Sequence, residues 1–419
     1  MPEIQTQLRI SSKVNQVFNQ LVQEFCVKQG LEFLKLDNES TVKEQIELTL
    51  IPAPTFQEQE RGEFYKNRLI ELGLQNVKVD SVGNVSGLRP GSRKSPKLVV
   101  SAHLDTVFPE GTYIKPSQKD GKIYAPGIAD DGRGLASILT LIRALDEAKI
   151  NTIGDIEFVA TVGEEGLGDL RGVKHLFDNR NDIDGFISIE PGSPERTTYL
   201  ATGSHRYSVT YKGPGGHSFG DFGIPSAIHA LGRAISHLSC LETPKEPKTT
   251  FTVGTVTGGT SVNTIAAKAN MVIDLRSTSQ QELLKLEEKV LTVIKKAAEE
   301  ENERWKSEDI QVDIELVGDR PAGSQSADSI IVQSALAATK TLGFYPILDP
   351  PSSTDSNVPI SLGIPAVTLG GGGAFGGVHT LEEYFDPNDA FYGVQKIFLT
   401  ILGLVGVENV IDPLLKAGK

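Results

Sequence analysis

Apolar residues recur at helical spacing early in the chain. Val14, Val17, Phe18, Leu21 and Phe25 share one face, and the first fifty or so positions read as helices. IPAPTFQEQERGEFYKNRLIELGL then gives a Pro-punctuated turn leading into an amphipathic helix. Beyond it, short apolar runs alternate with helical ones. KLVVSAHLD, IEFVATVGEE, GFISIEPG and IPAVTLGGGG read as buried strands, and GRGLASILTLIRALDEA reads as a helix. Buried strands alternating with helices predict an α/β unit with a mostly parallel sheet and helices on both faces.

The middle of the chain has a different rhythm. HRYSVTYKG, TFTVGTVTGG, KANMVIDLRS and IQVDIELVG read as strands, and PSAIHALGRAISHL as a helix. Ser279 and Glu282 have the spacing of a capping box. They open a second helix whose apolar stripe is Leu283, Leu286, Val290, Ile294 and Ala297. The order βαββαβ is that of a ferredoxin-like α+β unit. The expected organisation is an α/β domain over 1–203 and 319–419, interrupted by an inserted domain at 204–318. A chain of 419 residues is long enough to give both a sizeable core.

Composition narrows the class. With 54 acidic against 41 basic residues the net charge is −13, which disfavours nucleic acid as a partner. Two cysteines, Cys26 and Cys240, make neither a disulfide framework nor a thiolate cluster and point to a reducing cytoplasm. The opening MPEIQTQLRISSK lacks the apolar core of a secretion signal. The most apolar run, Ile397 to Val407, is far short of the roughly 20 residues a membrane-spanning helix needs. No membrane partner is expected.

Several α/β strands end in side chains able to hold metal. LVVSAH ends on His103, with Asp105 two residues on; IEFVATVG leads to Glu164 and Glu165; FISI leads to Glu190. Asp130 and Asp131 precede a helix in GIADDGRG, and His379 lies in a loop after a strand and a glycine run. In open α/β sheets ligands bind at the carboxyl ends of strands, so these groups should gather at one edge. Several carboxylates there need cations, because a lone buried acid costs several kcal/mol. Mixed imidazole and carboxylate donors suit zinc, manganese or cobalt. Three carboxylates and one hydroxide would neutralise two divalent ions, and such a pair generates hydroxide near neutral pH.

HLDTV, GIADDGRG, TVGEEGLG, SIEPG and GGVHTLEE occur in this order. Each motif alone is weak, but five in order are specific. Together they resemble the co-catalytic zinc peptidase family of peptidase T, carboxypeptidase G, succinyl-diaminopimelate desuccinylase and aminoacylase, with peptidase T the nearest likeness. The resemblance spans nearly the whole chain. It implies two divalent ions, most simply zinc: His103 and Glu190 on one, Glu165 and His379 on the other, Asp130 bridging both. It implies Asp105 as the carboxylate that clamps His103, a cis peptide after Asp130, and Glu164 as general base. It implies that the insert is a lid and dimerisation domain, whose His217 polarises the substrate carbonyl in a homodimer. Asn263 and Arg276 match positions that hold a substrate carbonyl or carboxylate.

The expected activity is exopeptidase hydrolysis of di- or tripeptides by metal-bound hydroxide. The alternatives are an N-acyl-amino-acid deacylase and a non-catalytic binder on the same fold. A dinucleotide enzyme is disfavoured, since no G-x-G-x-x-G follows the first strand. Asp274 next to Arg276 admits an ordinary ion pair, and His217 an ordinary loop histidine. Asp131 and Glu383 are candidates to support the ligands. Arg320 is a candidate to face the cleft, and GGGGAFGG to form a flexible wall of it. Arg133 replaces the family's second glycine, where it would grip a substrate carboxylate or face solvent.

Overall fold

The computed structural model describes residues 9–178 and 180–418. Residues 1–8, most of the segment read as lacking a secretion signal, lie outside the described residues. In chain order the helices are α1 (Ser12–Leu21), α2 (Phe25–Leu36), α3 (Asn38–Leu50), α4 (Gln59–Glu71), α5 (Gly132–Glu147), α6 (Arg171–Phe177), α7 (Ala227–Leu238), α8 (Gln280–Trp305), α9 (Ile330–Thr341), α10 (Asn357–Ser361) and α11 (Phe391–Val405). The strands are β1 (Gln75–Val79), β2 (Val85–Arg89), β3 (Lys97–His103), β4 (Ser117–Lys119), β5 (Lys122–Tyr124), β6 (Asp155–Thr161), β7 (Gly185–Glu190), β8 (Arg196–Thr198) and β9 (Gly203–Lys212). They continue with β10 (Gly216–His217), β11 (Thr249–Gly258), β12 (Thr264–Ile265), β13 (Lys268–Ser277), β14 (Gln311–Arg320), β15 (Ile347–Leu348), β16 (Ala366–Gly370), β17 (Ala374–Gly376) and β18 (Tyr384–Asp386).

The chain divides into two compact units, one of Met1–Leu200 with Ser324–Lys419, the other of Ala201–Gly323. The first holds an eight-stranded sheet in the order β1-β2-β6-β3-β7-β16-β8-β15. Its centre, β6-β3-β7-β16, is parallel. Side chains alternate between faces along a strand, and these four strands are buried almost throughout, so both faces are covered. Helices α5, α9 and α11 and the N-terminal α1–α3 belong to the same hydrophobic core. A hairpin of β1 and β2 extends one edge antiparallel, which the alternating pattern did not announce. A second, antiparallel sheet, β17-β18-β5-β4, also lies in this unit. Its β17–β18 connection carries His379.

The second unit is an antiparallel sheet in the order β11-β13-β9-β14. Alternate residues of β9 and β13 are buried against α7 and α8. The Ser279 hydroxyl accepts the Glu282 amide at the start of α8, and Leu283, Leu286, Val290, Ile294 and Ala297 are buried. The unit begins at 201 rather than 204 and ends at 323 rather than 318, because a bridge pairs Ala201 with Gly323 where the chain enters and leaves.

Candidate metal centre

The strand ends of the first unit set the site. His103 closes β3, Glu164 and Glu165 follow β6, and Glu190 closes β7. Asp130 lies just before α5, and its peptide bond to Asp131 is cis. Asp131 caps α5 by accepting the Gly134 amide, and its other oxygen accepts the His103 amide at 3.0 Å. One carboxylate thus ties the end of β3 to the start of α5.

Asp130 faces both imidazoles. Its Oδ1 lies 2.9 Å from His103 Nε2, and its Oδ2 lies 3.2 Å from His379 Nε2. His379 Nε2 is also 3.0 Å from Glu165 Oε1, and His103 Nε2 is 3.9 Å from Glu190 Oε2. Three groups of donors lie close enough to share an ion: His103, Asp130 and Glu190; Asp130, Glu165 and His379; and His103, Glu164 and Glu165. Imidazole nitrogens and carboxylate oxygens converging in this way suit a divalent transition metal.

Burial and mutual contact shift the ionisation of these groups. Burial alone would lower the His103 pKa, but contact with Asp130 and the charges of Glu190 and Asp131 outweigh it and raise it well above the usual imidazole value. Hydrogen bonds with Asp130 and Glu165 raise His379 to about 10. Burial would raise Asp130, yet its two imidazole partners hold it below the usual carboxylate range. Burial pushes Glu190 and Asp131 upward.

A buried scaffold holds these groups. Glu383 accepts the amides of Gly127, Ala129 and Asp130 at 2.9, 2.8 and 3.0 Å. Gln45, on α3, donates to the Ile128 carbonyl at 2.6 Å, which gives one of the N-terminal helices a part in shaping the same loop. Asp105 meets His103 through both its backbone and its side chain. The His103 ring contacts the Asp105 backbone carbonyl through Nδ1 at 2.9 Å, while the carboxylate stands 3.7 Å away. That carboxylate accepts the amides of Glu164 and Glu165 at 2.9 and 3.0 Å and the Thr55 hydroxyl at 2.9 Å. It therefore orients the glutamate pair while standing beside the imidazole. Thr55 and Gln45 carry no sequence signal that would have singled them out.

Arg133 does not face solvent. It is fully buried, donates to the carbonyls of Gly371 and Ala390 at 2.8 and 3.0 Å, and stacks over Phe385 at 5.2 Å. Burial lowers its pKa to about 9. It braces the glycine run, which is packed rather than flexible: a Cβ on Gly372 would stand 2.0 Å from the Ala390 carbonyl oxygen. Only glycine lets the backbone approach so closely.

The remaining candidates lie in the second unit. His217 Nδ1 accepts the amides of Phe219 and Gly220 at 3.2 and 3.1 Å. The His217 amide in turn donates to Asp221 at 2.6 Å. The Asn263 carbonyl accepts the Ser218 amide, so the two loops are pinned together. Arg276 pairs with Asp274 at 2.6 Å, and Asp274 also accepts from Arg206, so the ion pair open as an alternative is present. Arg320 is buried at the end of β14. His205 is buried against Glu287 and Asp319.

Comparison with known proteins matches residues 99–402 to the model described as peptidase family M20/M25/M40. Carboxypeptidase G2 of Pseudomonas sp. (strain RS-16) is 25% identical over 294 residues, which cover 67% of this chain and 68% of that protein. Among solved structures, aminopeptidase PepT from Bacillus cereus ATCC 10987 is 26% identical, with a TM-score of 0.70 over 87% of this chain and 98% of that one. A tripeptidase from Staphylococcus aureus subsp. aureus Mu50 is 25% identical, with a TM-score of 0.73 over 87% and 97%.

Proposed function

The chain belongs to peptidase family M20/M25/M40 and is a hydrolase of peptide or amide bonds, and from this premise we propose that it is a two-metal exopeptidase acting on di- or tripeptides. The observation that carries the reading is the Asp130 carboxylate, with one oxygen against each imidazole. His103, Asp130 and Glu190 would hold one divalent ion; Asp130, Glu165 and His379 would hold the other. Zinc suits these donors, with manganese or cobalt as substitutes. When bound, the pair supplies Lewis-acid polarisation of the scissile carbonyl and acidifies water.

The chain's own groups do the rest. Glu164, buried beside the ligands, takes a proton from the attacking water at its carboxylate and passes it to the leaving amine. Asp105 fixes the backbone of that glutamate through its amide. His217 is read as the group that polarises the carbonyl oxygen. Its Nδ1 is committed as an acceptor, which places the ring proton on Nε2 as a donor. Asn263 and Arg276 are read as holding the substrate carbonyl or carboxylate, Arg276 by its planar fork. We read the second unit as a lid and its edge strand β11, where Val256 is exposed, as the seam of a homodimer. No helix among the described residues is long and apolar enough to cross a membrane. Two unpaired cysteines suit a cytoplasmic setting.

The test is a screen of di- and tripeptides and acyl-amino acids with zinc-, manganese- or cobalt-loaded protein, read by mass spectrometry. Free amino acids should appear from peptides, stop on chelation and return with metal. Glu164→Ala should keep its metal and lose turnover by roughly three orders of magnitude. Cleavage of acyl-amino acids alone would favour the deacylase reading. Bound metal with no hydrolysis would favour the binder. Light scattering at the mass of a single chain would remove the dimer.

A further inference from the structure

The loops that carry the candidate ligands also carry exposed apolar side chains. Leu167 is two residues past Glu165 and 60% exposed; Leu381 is two past His379 and 63% exposed; Phe56 adjoins Thr55 and is 55% exposed. Scattered surface leucines need no explanation, but these lie on segments that the site itself draws together. Thr55 donates to the Asp105 carboxylate, which also holds the Glu164 and Glu165 amides. A Cβ on Gly168 would stand 2.6 Å from the Thr55 methyl, so the turn beside Leu167 lies against the residue beside Phe56. The 3.0 Å contact of His379 with Glu165 brings the loop of Leu381 to the same place.

Phe56 is also held in a costly conformation. Its φ is +75°, a left-handed backbone that a bulky residue rarely adopts and that gathers at functional sites. Its amide donates to Glu58, and the Arg171 guanidinium lies 5.1 Å over its ring while bonded to that same glutamate at 2.6 Å. The ring is therefore shelved, not loose. The ligand-bearing stretches 52–58, 103–108, 125–132, 163–168, 190–193 and 374–383 contain no Lys or Arg. The cation that lies against the cluster, Arg171, is already paired with Glu58, and the stretches themselves concentrate carboxylates.

We infer that Phe56, Leu167 and Leu381 form an apolar subsite beside the metal centre, selecting peptides with a bulky apolar residue next to the scissile bond. The inference rests on the proposed peptidase reading and adds its substrate class. An apolar subsite discriminates by contact area, so each methylene gained should raise kcat/KM severalfold.

The experiment uses the metal-loaded protein with X-Gly and Gly-X dipeptides, X being Ala, Leu, Phe, Asp or Lys. It also measures calorimetric binding of reduced-amide Phe-Gly and Asp-Gly, in which CH2–NH replaces the amide. Leu and Phe should exceed Ala and Asp by at least tenfold in one orientation, and reduced-amide Phe-Gly should bind at least tenfold tighter than its Asp counterpart. Phe56→Ser with Leu167→Ser should shrink that preference to under threefold, mainly through KM, with metal content unchanged. Leu167→Lys should raise the Asp-to-Phe ratio at least tenfold. A flat or acid-favouring profile in the parent protein, or a preference that survives the double change, overturns the inference. Failure to cleave any peptide removes the peptidase reading instead, and the reduced-amide affinities still decide the subsite.

Discussion

Glu383 accepts the backbone amide of Asp130 at 3.0 Å, so the carboxylate between the two imidazoles hangs from a second, buried carboxylate. Gly127 and Ala129 donate to the same side chain, which shapes the whole turn before α5. Glu383→Gln leaves one oxygen for three amides and sets an NH2 group against an N–H. Metal affinity should fall about 10- to 100-fold, with the fold retained. Titration against a competing chelator measures this, and an unchanged affinity would deny Glu383 its supporting role.

Asp105→Asn should act on turnover more than on metal. An amide side chain offers one acceptor oxygen to the Thr55 hydroxyl and the Glu164 and Glu165 amides, so one glutamate loses its tether. Misplacement of the proposed base predicts a fall in kcat of about 100-fold with near-normal metal content. Steady-state kinetics with elemental analysis separates the two effects.

Arg133→Met should cost stability and spare substrate binding. It strands the carbonyls of Gly371 and Ala390, a loss partly offset by removing a buried charge. The expected destabilisation is about 2 kcal/mol by denaturant titration. A KM rising tenfold without loss of stability would instead make Arg133 a substrate contact.

Metal uptake should release protons. In the cation-free centre Asp130 and Glu165 raise His379 to about 10, and His103 is also raised. An imidazole must be deprotonated to ligate, and Glu190 is also pushed upward, so below these pKa values each ion displaces one proton or more. Apparent affinity should therefore rise about tenfold or more per pH unit per ion between pH 6 and 8. Calorimetry in buffers of different ionisation enthalpy counts the protons, and a pH-independent affinity would contradict the imidazole contacts.

Much of this was legible in the sequence because it rests on short-range regularities. Continuous apolar runs mark β3, β6 and β7, which are buried on both faces, and a period of 3.6 marks α8, which is buried on one. His103, Glu165 and Glu190 are legible because strand ends carry them, and Asp130 and His379 because they stand in glycine-flanked motifs. What escaped depends on contacts far apart in the chain. Spacing shows that Asp105 lies near His103 but not the approach of Thr55 and the β6 loop to its carboxylate. The burial of Arg133 has no local signal, because its carbonyl acceptors lie some 240 residues away. The αL backbone of Phe56 has no glycine or asparagine to announce it.

Anomalous diffraction from zinc-soaked crystals would locate the ions. Two peaks are expected, one among His103, Asp130 and Glu190 and one among Asp130, Glu165 and His379, with Asp130 contributing an oxygen to each. No peak at these side chains, or a single peak that leaves Asp130 uncoordinated, would rule out a two-metal centre bridged by Asp130.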